Sequence, residues 1–118
     1  MGKSNIKYEA VDVVFDQGNN TTKMFRLSQS FDRVVGIVIY EFGDGNIPNY
    51  NISLSDEDET IIDFVSKDFF KPHNSGKYLK LDHLNRGQNY YLKVSTNETP
   101  VQSEVRLQAI FVVQNTST

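Results

Sequence analysis

The 118-residue chain contains no cysteine and no tryptophan, and only three prolines, two histidines and two methionines. Without cysteine there is no disulfide, thiolate nucleophile, zinc knuckle or iron–sulfur ligation, and two histidines are too few for a His-rich metal centre within one chain. A chain without thiols is also indifferent to the redox state of its compartment. Long hydrophobic runs are missing. The longest, residues 34–40, falls far short of the ~18 residues of a membrane helix, so no transmembrane segment is expected. Met1-Gly2-Lys3-Ser4-Asn5 offers no apolar stretch for a secretory signal peptide, and Ile6 stands where a myristoylation signal needs Ser or Thr. Positive charge is not in excess either: a net charge of −3 gives no basic face for sequence-independent nucleic-acid binding, and no direct nucleic-acid partner is expected. There is no Gly-x-Ser-x-Gly elbow, phosphate-cradling glycine loop or His-Glu-x-x-His. The expectation is a protein without enzymatic activity or cofactor.

Apolar and aromatic side chains are plentiful. Hydrophobic residues make up 38% of the chain, with eight Phe and six Tyr. At this length about two thirds of the unfolded surface is buried on folding, which suits a single domain over residues 1–118, with an ordered core about 6–113 and a polar tail 114–118. Five Asn-x-Ser/Thr triplets read as by-products of a composition rich in Asn, Ser and Thr.

A period of two runs from end to end, and no amphipathic helix stripe appears. Strands are expected at residues 6–15, 21–28, 34–40, 50–54, 60–66, 78–81, 89–96 and 103–113. In the first, Val11, Val13 and Phe15 share one face, while Ile6, Tyr8 and Ala10 hold the other phase, which predicts a bulge near Ala10 and Val11. Residues 34–40 are apolar on both faces, as in a central strand covered on both sides. In the last strand Val105, Leu107, Ala109, Phe111 and Val113 point inward, and Arg106, Gln108, Ile110 and Val112 outward. Residues 67–77 form a long irregular loop with a helical turn near Asp68. The fold class is all-β, a single eight-stranded antiparallel β-sandwich, jelly-roll-like; the Trp and Cys pair of an immunoglobulin core are absent.

Several constellations invite a chemical reading, each with a plainer alternative. In Asp56-Glu57-Asp58-Glu59, Asp56 and Asp58 are candidate ligands for a hard cation; the alternative is a solvated hairpin tip, lacking the glycine and distal Glu of an EF-hand loop. His73 and His83 would serve acid–base chemistry beside Asp68 or Asp82, but no motif supports it. Phe69, Phe70, His73 and Tyr78 in the long loop, with Ile110 and Val112 on the last strand, are the candidate interaction residues; the alternative for the two phenylalanines is a plug at one end of the sandwich. Tyr90 and Tyr91 would stack a glycan. Lys67, Lys71, Lys77, Lys80 and Arg86 follow the acidic run, which suggests oppositely charged ends suited to self-association, or else a mixed solvated surface.

An Asn- and Thr-rich all-β chain with a double-phase first strand and a Val-Val-Gly-Ile-Val-Ile centre resembles the small jelly-roll virion proteins of bacteriophages, namely head auxiliary or decoration proteins and penton or spike-base proteins. The resemblance implies a structural component of the virion, assembled in the host cytoplasm. Its partners would be other virion proteins, above all a major capsid protein, and further copies of itself in a homo-oligomer. A carbohydrate-binding β-sandwich module is the alternative.

Overall fold

Alternating apolar residues build eight strands in the computed structural model, which describes residues 6–15, 20–42, 49–72, 78–96 and 105–115. They are β1 (Ile6–Phe15), β2 (Asn20–Phe25), β3 (Arg33–Phe42), β4 (Asn51–Asp56), β5 (Thr60–Ser66), β6 (Leu79–Leu84), β7 (Tyr90–Ser95) and β8 (Val105–Gln114), with a 3-10 turn at Lys67–Phe70. The first sheet has the order β1-β8-β3-β6 and the second β2-β7-β4-β5. The antiparallel pairs β1·β8, β2·β7, β3·β6 and β4·β5 are those of one long ribbon bent back at β4 and β5. Rolling that ribbon adds β3·β8 and β4·β7 and divides it into two facing sheets, which is the jelly-roll topology.

Between the sheets lies one core. Val13, Ile37, Ile39, Leu107, Ala109 and Phe111 of the first sheet meet Ile52, Leu54, Tyr90, Leu92 and Val94 of the second. Phe25 joins the layers, stacked on Tyr90 at 5.5 Å and tilted against Phe111 at 4.9 Å. Residues 26–28, expected in the second strand, leave the ladder because the chain must cross there from the second sheet to the first. Leu27 stays buried, and Ser28 N–H donates to the Glu9 carboxylate at 3.1 Å.

The bulge expected at Ala10 and Val11 is absent. β1 pairs with β8 residue for residue from Ile6↔Gln114 to Phe15↔Val105. The apparent change of phase is one regular strand with apolar residues on both faces. The irregularity sits instead in β3 between Val34 and Gly36, where β3 slips against both β6 and β8. Gly36 follows this bulge and lies beneath the Tyr78 ring, so closely that a Cβ on residue 36 would overlap it. Gly36→Ala is expected to destabilise the fold by about 1–3 kcal/mol in urea unfolding, as overpacked sites do. Adding Tyr78→Ala should return part of that loss, because the two residues compete for one volume.

Candidate functional site

The two outer faces of the sandwich differ in chemistry. On the second sheet, register places Thr22 beside Lys93 and Ser53, and Asn20 beside Ser95 and Asn51, with Met24 and Tyr91 in the row that ends at Ser55. These rows are mainly polar, as expected of an antiparallel sheet with one face in water, although Met24 of β2 and Phe64 of β5 are exposed. On the first sheet the rows read Ala10, Ile110, Val38 and Tyr8, Val112, Gly36, flanked by Asp12, Gln108, Tyr40 and by Val14, Arg106, Phe42. Its outer face thus carries more apolar than polar residues, with Asp12, Gln108 and Arg106 among them. Tyr8, Tyr40 and Phe42 are 63%, 39% and 54% exposed, which leaves on the order of 300 Å² of aromatic side chain open. Tyr40 and Phe42 lie two residues apart on β3, while Tyr8 stands on β1 level with Val112 and Gly36, so the exposed aromatics occupy two places on this face. A cavity of about 360 Å³ opens at one end of this face, walled by Val14, Phe42 and Arg106, with Gln108 donating to Asp12 at 3.3 Å.

Of the expected interaction residues, Ile110 lies at the centre of this face, half-buried. Val112 is fully covered, and the Tyr78 ring lies over Gly36, its neighbour across the ladder; Val112 is therefore floor rather than contact surface. Phe69 and Phe70 separate completely. Successive residues of a 3-10 turn point about 120° apart, so Phe69 stays 57% exposed while Phe70 is 0% exposed and plugs the core. Phe70 cannot be a contact residue. The expected position of His73 lies outside the described residues. Tyr90 is also buried, with its hydroxyl donating to Asn85 Oδ1 at 2.9 Å, so only Tyr91 of the proposed glycan platform reaches the surface.

The acidic run folds inward at its first residue. Asp56 closes β4 and faces the core: Oδ1 accepts the N–H groups of Asp58 and Glu59 at 2.8 and 2.9 Å, and Oδ2 accepts from His83 Nε2 at 2.8 Å and Gln88 Nε2 at 3.1 Å. His83 Nδ1 lies 3.5 Å from Glu59 Oε1, and the ring meets Tyr90 edge-on at 6.1 Å. Burial pushes the Asp56 carboxyl up, but the bonds from Gln88, the two backbone N–H groups and His83 outweigh it and hold the group at about 2. Asp58 points elsewhere, exposed, 3.4 Å from Arg86 Nη2. Asp56 and Asp58 therefore do not form a cation pair.

Among the described residues, Asp56, Glu59 and His83 do bring ligand atoms within 4.8 Å of one another. The geometry suits hydrogen bonding better than coordination. His83 turns one nitrogen to each carboxylate, and both Asp56 oxygens already accept two donors. The cluster staples the β4–β5 hairpin of one sheet to β6 of the other. Sequence reasoning set His83 beside Asp82, but Asp82 pairs with Arg33 at 2.9 Å on the opposite side of β6. The signal was parity, since His83 alternates in step with the core-facing Leu79 and Leu81.

A second staple joins β3 to the 3-10 turn. Tyr50 hydroxyl donates to Glu41 Oε2 at 2.7 Å, and Lys67 Nζ reaches the same oxygen at 3.1 Å. Burial, then the Glu41 hydrogen bond and charge, push the Tyr50 phenol well above its usual range. Lys67 sits on Glu41, Lys71 on Asp68 and Arg86 near Asp58, so three of the five basic residues are beside carboxylates; Lys80 stands exposed on β6, and Lys77 lies outside the described residues.

No protein-family model and no curated protein matches the chain. No helix among the described residues is long and apolar enough to cross a membrane.

Proposed function

We propose that this protein is a non-enzymatic structural component of a bacteriophage virion, a capsid-associated penton or decoration protein that works through protein–protein contacts. One observation carries the assembly reading: Tyr8, Val14, Tyr40 and Phe42 stand exposed on the outer face of the first sheet, more large apolar side chains than the second sheet leaves open at Met24 and Phe64. Burial of such a face against another protein is favourable by the area it removes from water. The jelly-roll architecture is one that viral capsid domains share with lectins and cupins, so the fold is compatible with a virion setting and does not by itself select it. The polar clusters close on themselves as staples between elements, in keeping with a building block. The partners would be further copies and a major capsid protein. Burial of Tyr90 removes half of the stacking platform on which a glycan-binding module would depend.

The test is solution mass by light scattering behind a sizing column, over a range of concentrations. The wild type should run as a discrete oligomer, and the Tyr40→Asp/Phe42→Asp variant should have a lower mass, since both residues lie exposed on the apolar face. A wild type that stays at 13.5 kDa throughout, or a variant with unchanged mass, overturns the reading.

A further inference from the structure

The four edge strands of the sandwich are β1 and β6 in the first sheet and β2 and β5 in the second. An open edge is a row of unpaired N–H and C=O groups, and proteins blunt such edges by shortness, bulges and charge. Three of the four are short or irregular here. β5 slips twice against β4. β6 has six residues, slips against β3 and carries Lys80 and Asp82 on its exposed side. β2 also has only six residues, with Lys23 among them. β1 is the longest of the four and has no bulge: it runs for ten residues without glycine or proline, carries its charge at Lys7, Glu9 and Asp12, and is paired by the described residues on its β8 side alone. The apolar outer face extends to this edge, where Ile6, Tyr8 and Val14 are 40%, 63% and 46% exposed.

We infer that β1 pairs antiparallel with β1 of a second copy about a two-fold axis at Ala10, joining two four-stranded sheets into one sheet of eight strands. This rests on the assembly reading above and names the edge through which copies meet. A strand is the occupant a long, regular edge fits, because its own N–H and C=O groups alternate in the complementary pattern. A second copy fits because the outer-face residues of β1 can match one another across a two-fold axis. An antiparallel register keeps the outer-face residues together only if it pairs even positions with even. With the axis at Ala10, Ile6 falls beside Val14, Tyr8 beside Asp12 and Ala10 beside Ala10; on the inner side Lys7 meets Val13 and Glu9 meets Val11. No like charges oppose one another. Moving the axis to Val11 would carry Ile6 out of the paired strand and set the Asp12 carboxylate against the Ala10 methyl rather than the Tyr8 ring edge and hydroxyl. The isologous pair closes on itself, so it yields a defined dimer rather than a fibre. It also doubles the width of the apolar face offered to a shell protein.

The absence of native cysteine makes the test clean. Residues facing each other across an antiparallel pair have Cα atoms roughly 4.5–5.5 Å apart, inside the range of about 4.4–6.8 Å that a disulfide spans. The exposed Ala10 is replaced in Ala10→Cys, and the variant is oxidised with diamide at micromolar concentration, beside Thr22→Cys on the polar face of the other sheet as control. Circular dichroism melts confirm that both variants are folded. The expected result is a reductant-sensitive band at twice the monomer mass for Ala10→Cys, retained in the Tyr40→Asp/Phe42→Asp background and absent from Thr22→Cys. A folded Ala10→Cys that stays monomeric, or a control that cross-links equally, overturns the pairing. If the wild type then still forms an oligomer whose mass falls in the face variant, the assembly reading stands and the β1 edge alone is rejected.

Discussion

Replacing Phe70 by alanine is expected to cost about 3–5 kcal/mol of folding free energy, while the same change at Phe69 leaves stability within about 0.5 kcal/mol of the wild type. The two residues are adjacent and identical, so composition and propensity cancel and only position remains. Phe70 is fully enclosed, packed with the core from the 3-10 turn between β5 and β6. That turn is itself held. Ser66 Oγ accepts Asp68 N–H at 3.2 Å, and Lys67 N–H donates to the Tyr50 carbonyl at 3.0 Å. A fixed turn cannot collapse inward to fill the volume of a lost ring, so the cavity term adds to the transfer term. Against a typical total of about 5–15 kcal/mol, the loss is large. Urea midpoints of the two variants, measured beside the wild type, read the difference directly; equal midpoints would refute the plug.

Asp56 is expected to show the second large effect, with a pH signature. Asp56→Ala removes the acceptor for four donors and leaves His83 and Gln88 facing a hole, a loss of about 3 kcal/mol in line with leaving buried donors of a charged acceptor unpaired. Asp56→Asn keeps the shape but turns an amide donor toward groups that also donate, so it should destabilise as well. The folded carboxyl titrates at about 2 against the ordinary 3.8, so this group binds its proton more readily in the unfolded chain. Its contribution, about 2 kcal/mol, is therefore complete above pH ~4 and is lost as the pH falls toward 2. Stability measured by urea unfolding from pH 2 to 6 should rise with pH in the wild type. The rise between pH 2 and 4 should be shallower in Asp56→Asn. Parallel curves for the two proteins would show that Asp56 is not held as described.

The strands were legible because the inside of a sandwich imposes a period of two, and β8 obeys it from Val105 to Val113. What alternation does not say is which face meets water. Ile6, Tyr8 and Ala10 were read as a break in phase because an apolar outward face was not anticipated; they belong with Ile110 and Val38 on the outside of the first sheet. Pairings across sheets were illegible for another reason. Asp56 and His83 lie on different sheets and meet only once the ribbon is rolled, and nothing local in either segment announces the other. The fates of Phe69 and Phe70 likewise depend on the pitch of a single turn.

The position of β8 between β1 and β3 governs the order in which the protein can come into being. Its ladder with β1 sets Gln114 against Ile6, so the chain between them must be looped closed before the first sheet gains this middle strand. Topologies dominated by such non-local pairs fold in milliseconds to seconds rather than microseconds. On the ribosome, β1 and β3 emerge long before the strand that separates them, each apolar on two faces and unpaired where β8 will lie. The growing chain is thus at its most adhesive until its last strand emerges, and insertion of that strand converts a sticky nascent ribbon into a finished part.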